Sequence, residues 1–548
     1  MLFSSITFLY FFLPLALLIY KVVPSGAKNL CLCMISCLFY AWGEPAGLFL
    51  MLGQVVFAYI LTGIADNRKG TVIGRISYIL SVFVPFVFLF YYKFCFGGCV
   101  MKEENRKYAR EAMDIVEHAA HKIGSRLPGS DGEIKLHKYM GEKLREIGIE
   151  PKTEEFAVSP RSGIGGLGYA GWSGVIISIG AIIAIACGFN KLWYVLGALG
   201  LLTIFWLVMS CFFYKTWFDM FFPQEISRNT LGVLEPEDGK YDYTIILSGH
   251  TDTSWCWRHS EHAYKYKDTK PVMGLIATYG KVGFGAVCFF FIALFSVFMA
   301  IVDICQFAGA AWTQTMLASH GWEVFMFIMN FVPIVTAIGS LFVVMWGDPN
   351  PRNASRGAMD NATGIGLSYA VIKYFKENPD KMPKNCRIVD ANIGSEEAGL
   401  RGSMHFAQEH RFDDLTKNAW NINIDSVADK EYFEVVIKDD WQGVRFDADM
   451  EKMFKDTFNE MGIKSLTNGC IHNPVGGCDS TPMTRAGIKS VTFAAQNPML
   501  TYYYHTWRDM PERFEMETVG DGFDVILSVI DKIAKFQEKN GYNGPQKK

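Results

Sequence analysis

The chain has 548 residues, of which 50% are hydrophobic and only 20% charged, so an ordinary soluble protein is excluded. A net charge of −3 at pH 7 gives no electrostatic basis for binding nucleic acid. The 13 cysteines include no CxxC pair, which excludes a disulfide framework and a cysteine-based zinc site. We therefore expect several domains, with the apolar residues concentrated in blocks.

The first 97 residues are predicted to form a membrane block. Its uncharged stretches cover residues 2–20, 29–43, 46–65 and 76–92. A spanning helix needs about 20 apolar residues, so the second stretch is short and could be re-entrant. If all four span, the basic connections at 21–28 and 65–75 lie in the cytoplasm and the chain after residue 97 begins outside.

This block also carries a family resemblance. The matching residues are Met1-Leu-Phe-Ser-Ser5, Phe11-Phe-Leu-Pro14, Asn29-Leu30 and Leu38-Phe-Tyr-Ala-Trp-Gly-Glu-Pro45. Over residues 1–95 the chain resembles the N-terminus of the membrane-bound O-acyltransferases of the alginate-acetylation type. The histidine associated with acyl transfer in that family lies further along, so the resemblance implies a fragment without this chemistry. At residues 95–101 the sequence becomes charged, which fits either a glycine linker or a separate start at Met101.

Two further pairs of apolar stretches interrupt the rest of the chain. Residues 162–214 and 281–347 are each predicted to form a membrane hairpin. Because each hairpin holds two segments, the polar pieces stay on one side of the membrane and can form one domain. Those pieces are residues 101–161, 215–280 and 348–548. Long core helices could mimic such runs, but four of them make that alternative weak.

The polar pieces alternate strand and helix patterns. The candidate strands are residues 154–158, 243–247, 387–393, 419–424, 432–437 and 489–494. The candidate helices are residues 106–123, 130–147, 364–376, 398–410, 448–461 and 517–537. This alternation predicts an α/β domain with a mixed, largely parallel sheet flanked by helices.

Histidines and carboxylates stand beside the ends of these elements. They are His250 and Asp252 after a buried strand, Asp360 before a helix, Glu396 and Glu397 after a strand, Asp425 at a strand end, and His505 before the last helix. Burying these groups together would cost several kcal/mol of folding free energy unless a cation binds between them. A mixed His/Asp/Glu set suits zinc or a similar ion, and an extra carboxylate can bridge two ions.

Each of these residues alone also has an ordinary explanation. Asp360 could cap the following helix, Asp425 could accept hydrogen bonds in a turn, and Glu396 could be a solvated loop charge. Their number in one α/β domain favours a joint site. The adjacent pair Glu396 and Glu397 can divide the work, one carboxylate binding metal and the other moving a proton.

The motifs themselves resemble a known family. His250-Thr-Asp252, Asp360-Asn-Ala-Thr-Gly364, Ser395-Glu-Glu397, Asn423-Ile-Asp425 and His505 are similar to the motif set of the M28 zinc aminopeptidases. The resemblance covers residues 101–548 without the hairpins and implies a zinc-exopeptidase-like fold. Gly476-Gly-Cys-Asp-Ser480 is a looser match to a loop near the family's substrate cleft. Unlike usual family members, this chain has a hairpin between His250 and Asp360.

The M28 resemblance implies a role for each matching residue. His250 and Asp425 would bind one zinc ion, Glu397 and His505 a second, and Asp360 would bridge both. Two further residues would assist: Glu396 as general base and acid, and Asp252 by orienting His250.

We therefore expect a multi-pass membrane protein whose catalytic domain removes N-terminal residues from peptides with two zinc ions. The expected partners are a peptide substrate and the lipid bilayer, without nucleic acid. The expected location is a bacterial plasma membrane, with the catalytic domain extracytoplasmic. Two alternatives stay open: a catalytically silent M28-like binding ectodomain and a glutaminyl-cyclase-like transferase. Acyl transfer by the N-terminal block is disfavoured because the block ends too early.

Overall fold

The structure is a computed structural model that describes most of the chain after residue 101. The described residues are 102–260, 264, 271–345, 354–474, 476–498 and 502–540, with Leu61, Ile64 and Thr71. For residues 271–279 the backbone alone is described. The chain divides into two compact units, Met1–Gly98 and Cys99–Lys548. The spans predicted within residues 1–97 and their acyltransferase-like resemblance fall outside the described residues.

A nine-stranded sheet forms the centre of the second unit. Its strands are β1 (Lys152–Val158), β2 (Glu225–Leu234), β3 (Tyr243–His250), β4 (Cys386–Ile393), β5 (Ala419–Val427), β6 (Phe433–Asp439), β7 (Val444–Arg445), β8 (Cys470–Asn473) and β9 (Lys489–Ala495). They lie in the order β1-β2-β4-β3-β5-β9-β6-β7, and β8 pairs with β6. The four central strands, β4, β3, β5 and β9, are mutually parallel. β2 and β6 flank them in antiparallel pairings, so the fold is mixed α/β.

The helices of the described residues follow the chain in two groups. Before the last third they are α1 (Arg106–Glu117), α2 (Asp131–Glu146), α3 (Leu167–Cys187), α4 (Leu192–Trp206), α5 (Pro271–Phe307), α6 (Ala311–Leu317), α7 (His320–Met329) and α8 (Val332–Val344). In the last third they are α9 (Thr363–Glu377), α10 (Arg401–Glu409), α11 (Ala448–Glu460), α12 (Ser480–Arg485) and α13 (Met516–Asn540).

Helices cover both faces of the sheet. One face packs against apolar side chains of α1, α2, α9, α11 and α13, including Phe523 and Ile365. The other face packs against α10 and α12, with Phe406 and Met483 in its core. Because both faces are covered, every residue of β3 and β4 is buried, including polar side chains such as that of Asp390.

Helices α3, α4, α5 and α8 pack together as an apolar bundle. Among the described residues, three helices are long and apolar enough to cross a membrane, namely Ile164–Cys187, Leu192–Phe212 and Gly280–Phe307. The fourth apolar segment, predicted at residues 324–347, is not one continuous helix. That stretch is a pair, His320–Met329 and Val332–Val344, bent by 40°. Pro333, which cannot donate a backbone hydrogen bond, is the second residue of the second half.

One predicted helix in the polar domain also needs correction. The helix predicted from residue 398 begins at Arg401, because Gly399 and Leu400 have φ of 96° and 61°. These left-handed residues make a turn that the apolar periodicity does not reveal. The short strands β7 and β8, of two and four residues, lack a detectable alternation pattern.

Candidate metal centre

The parallel strands bring the predicted ligands to one edge of the sheet. His250 ends β3, Glu396 and Glu397 follow β4, and Asp425 lies near the end of β5. Parallel strands end at the same edge, which is where open α/β sheets bind ligands. Asp360 reaches this edge from the turn before α9, and His505 from the loop after β9. The structure thus brings together all five residues predicted as metal ligands.

Asp360 lies between the two histidines. Its Oδ1 is 3.0 Å from His250 Nε2, and its Oδ2 is 2.9 Å from His505 Nε2. Asp425 Oδ1 lies 3.8 Å from His250 Nε2, and Glu397 Oε1 lies 3.0 Å from His505 Nε2. Two three-residue groups result, each with ligand atoms within 4.8 Å of one another, and Asp360 belongs to both. This arrangement allows one carboxylate to bridge two cations.

The charges of these buried groups show how well a metal would fit. Burial would raise the pKa of Asp360, but the two histidines hold it below its ordinary value of 3.8. Burial would lower the pKa of His505, but Glu397 and Asp360 raise it to about 10. Imidazole protons therefore supply the positive charge that the carboxylates demand. Divalent cations between the same nitrogen and oxygen atoms would supply it with neutral imidazoles, so the donor set fits zinc.

Asp252 contacts more of the site than the histidine it was predicted to orient. Its Oδ1 lies 3.4 Å from His250 Nδ1. The same carboxylate accepts hydrogen bonds from the backbone N–H groups of Glu396 and Glu397, both at 2.9 Å. Asp252 therefore links the end of β3 to the loop that follows β4, which fixes both glutamates relative to His250.

Glu396 has the electrostatic environment of a proton carrier. Burial raises the pKa of its carboxyl well above the ordinary value of 4.5. The carboxyls of Glu397, Asp479 and Asp425 raise it further, while His250 opposes them. A carboxyl with a raised pKa holds a proton more readily than an ordinary glutamate, which suits general acid and base work.

Several positioning residues were not predicted as functional. Asp509 accepts hydrogen bonds from the N–H groups of Met359 at 2.8 Å and Asp360 at 3.0 Å. Asn361 donates to the carbonyl of Ile424 at 2.9 Å, which joins the Asp360 turn to β5. Asn361 stands within the Asp360 motif, so the motif itself could have indicated it.

Glu133 supports the site from the opposite side. Its buried carboxylate accepts hydrogen bonds from the Ser395 N–H at 2.6 Å and from the Gly129 N–H at 2.7 Å. Arg126, also buried, donates to the carbonyls of Thr251 and Gly357, each at 2.8 Å. The backbone of the ligand loops is thereby tied to the first turn of α2 and to the segment before it.

Comparison with known proteins assigns a family likeness to this region. Residues 341–530 match Peptidase family M28. This stretch contains Asp360, Glu396, Glu397, Asp425 and His505, but not His250. Aminopeptidase YwaD of Bacillus subtilis is 27% identical over 197 residues, or 34% of this chain. The match covers only 39% of that relative's length.

Solved structures of two kinds of enzyme are also similar to this chain. The zinc aminopeptidase BSAP from Bacillus subtilis has 13% identity and a TM-score of 0.41, with coverage of 78% of this chain and 95% of that one. A Bacteroides thetaiotaomicron glutaminyl cyclase has 14% identity and a TM-score of 0.42, with coverage of 77% and 97%. In sequence, the similarity to Peptidase family M28 lies at residues 341–530.

Proposed function

We propose that the chain is a membrane-anchored, dinuclear zinc aminopeptidase of the M28 type. The observation that carries this proposal is the position of Asp360, whose two carboxylate oxygens each face a different histidine at 3.0 and 2.9 Å. A site for a single metal ion would need only one of the two three-residue ligand groups that share Asp360. The match of residues 341–530 to Peptidase family M28 supports the same reaction class.

The proposed ligands divide into two sets around Asp360. His250 and Asp425 would hold one zinc ion, and Glu397 and His505 the other. Zinc ions there would polarise the scissile carbonyl as Lewis acids and lower the pKa of a nearby water to about 7. Asp252 holds the Glu396 and Glu397 backbone in place, because its carboxylate accepts both of their N–H groups.

Glu396 is the proposed general base and acid. Its carboxylate would take a proton from the attacking water and later deliver it to the leaving amine. The raised pKa of this carboxyl supports that role, because the same group must both accept and release a proton near neutral pH.

The test is the variant Glu396→Gln in the detergent-purified full chain with added zinc. Glutamine keeps the shape but cannot take a proton, so we expect turnover of aminoacyl-nitroanilides to fall by about 10²–10⁴-fold. Because Glu396 is not a proposed ligand, zinc content measured by atomic spectroscopy should stay at two ions per chain. Wild-type turnover in this variant would refute the assignment of the base.

The same preparation separates the alternatives. Cyclisation of an N-terminal glutamine without release of nitroaniline would favour a glutaminyl-cyclase-like transferase. Absence of both activities and of bound zinc would favour a binding ectodomain. One zinc ion per chain would refute the dinuclear site even if peptides are hydrolysed.

The proposed membrane anchoring rests on the apolar bundle. In the part of the chain that the structure describes, three helices are long and apolar enough to span, and the bent pair His320–Met329 and Val332–Val344 gives a fourth candidate. With an even number of spans in two hairpins, the polar pieces that form the sheet stay on one side. We propose an extracytoplasmic catalytic domain on a bacterial plasma membrane. Protease protection in sealed vesicles would test the side.

A further inference from the structure

The end of the first apolar hairpin lies against the loop that carries the glutamates. The candidate span Leu192–Phe212 ends two residues before Tyr214. A Cβ atom on Gly399 would lie 3.3 Å from the Tyr214 ring, and one on Gly477 would lie 2.9 Å from it. Arg401, at the start of α10, donates to the Tyr214 carbonyl at 3.0 Å. The turn after Glu397 is therefore in direct contact with the end of a candidate span.

The segment that follows Tyr214 marks an interfacial surface. Trp217, Met220 and Phe221 are 57%, 75% and 73% exposed. Exposed aromatic residues at the end of an apolar helix are typical of the boundary between lipid and water. Within the same segment, Asp219 pairs with Arg401 at 3.2 Å and accepts a hydrogen bond from Ser162 at 2.5 Å. The proposed boundary is thus connected to Glu397 through the Asp219–Arg401 pair and the short turn between Glu397 and Arg401.

The second inserted segment reaches the other side of the site. The Trp257 N–H donates to the His505 carbonyl at 2.8 Å. The two rings meet edge to face, with their centroids 4.5 Å apart. Two residues later, His259 Nε2 lies 2.9 Å from the carbonyl of Phe342 in α8. The His505 loop is therefore connected to the apolar bundle through three residues of chain.

The start of the first hairpin is equally close. A Cβ atom on Gly165, within the candidate span Ile164–Cys187, would lie 2.5 Å from the Trp255 ring. Trp255 is three residues after Asp252, and three residues reach at most about 10 Å. Three of the four ends of the inserted hairpins thus lie beside loops that carry the proposed zinc ligands or their partners.

From this geometry we infer that the substrates are polypeptides anchored in the same membrane, whose N-termini emerge close to its surface. The inference rests on the proposed aminopeptidase function. A cleft at the lipid boundary can be reached by an N-terminus on a short tether. Confining enzyme and substrate to one membrane raises the effective concentration of that N-terminus, whereas a soluble peptide gains nothing.

The test uses the full chain with zinc in vesicles of phosphatidylethanolamine and phosphatidylglycerol. One soluble peptide is compared with two versions that carry a C-terminal dialkyl lipid after a spacer. A spacer of about 8 residues reaches about 26 Å, and one of about 25 residues reaches about 80 Å. We expect the short-spacer peptide to be cleaved at least about tenfold faster than the soluble one, with no further gain from the longer spacer.

The outcomes separate the two proposals. Equal rates for soluble and anchored peptides, or cleavage of anchored peptides only with the long spacer, would overturn the inference but leave the aminopeptidase intact. Cleavage of none of the peptides by a chain with two bound zinc ions would refute the aminopeptidase itself.

A variant tests whether the exposed segment marks the boundary. Serine at Trp217, Met220 and Phe221 together should lower the ratio of anchored to soluble rates severalfold while the soluble rate changes by less than about twofold. The matched control is Phe412→Ser. Phe412 is 91% exposed. It precedes β5 in the chain and so lies at the sheet edge opposite the site, where its substitution should not change the ratio. An unchanged ratio in the triple variant would overturn the proposed position of the membrane surface.

Discussion

Single buried acids away from the proposed zinc ligands make the stability of this chain depend on pH. Asp390 in β4 accepts hydrogen bonds from Ser368 and, at 3.0 Å, from Asn392. Burial nevertheless raises the pKa of its carboxyl from 3.8 to about 7. The folded state therefore binds a proton that the unfolded state releases. The contribution of this carboxyl to stability is greatest below pH 4 and is lost between about pH 4 and pH 7, at about 1.4 kcal/mol per pH unit.

Asp390→Asn removes this titration. The Oδ1 atom of Asn392 has no hydrogen-bond partner. If the Asn392 amide rotates by 180°, this oxygen can accept a hydrogen bond from the amide N–H introduced at position 390. Relative to wild type, the variant should gain up to about 4 kcal/mol of unfolding free energy between pH 4 and pH 8. Thermal midpoints in detergent measured across this range would reveal the gain. Asp380→Asn, at an exposed position, is the matched control. Parallel pH profiles for wild type and Asp390→Asn would contradict the prediction.

At the scale of elements, the sequence predicts what local pattern controls. β3, β4, β5 and β9 are rich in β-branched and other apolar residues, and their predicted ends lie within three residues of the observed ones. The turn at Gly399 and Leu400 was missed because left-handed residues depend on the surroundings of the loop. Contacts such as Glu133 with Ser395, 262 positions apart, follow from the arrangement of strands and leave no local signal.

The junction between α10 and the first hairpin gives a prediction at this scale. Arg401 and Asp219 form a largely buried ion pair. Removing one partner leaves a buried charge without compensation, which costs about 3–5 kcal/mol, whereas removing both can be nearly neutral. We therefore expect a large fall in thermal midpoint for Arg401→Met and a partial recovery when Asp219→Asn is added.

Activity gives a second readout for the same pair. Because Arg401 begins the helix that follows Glu396 and Glu397, Arg401→Met should also lower kcat more than it raises KM. Arg401→Lys should recover little, since Arg401 reaches the Tyr214 carbonyl and Asp219 from two separate nitrogens, whereas lysine has a single nitrogen. Full recovery by lysine would mean that charge alone matters at this position.

At the scale of the whole molecule, the proposed zinc ions would link distant parts of the chain. Their ligands come from β3, β5, the turn before α9 and the loops after β4 and β9, so bound metal opposes separation of all of them. Metal held only by the folded state stabilises it by about 4 kcal/mol at a free concentration of 1,000 times Kd. Removal of zinc by a chelator should therefore lower the thermal midpoint by several degrees.

Asp360→Asn makes this prediction specific to the shared ligand. An amide offers one neutral oxygen in place of a bridging carboxylate, so both proposed ions should bind more weakly. The variant should lack the chelator-dependent fall in thermal midpoint, while Asp380→Asn should keep it. A chelator effect of wild-type size in Asp360→Asn would contradict a bridging role for this residue. Since the readout is stability, the result does not depend on which peptide the enzyme cleaves.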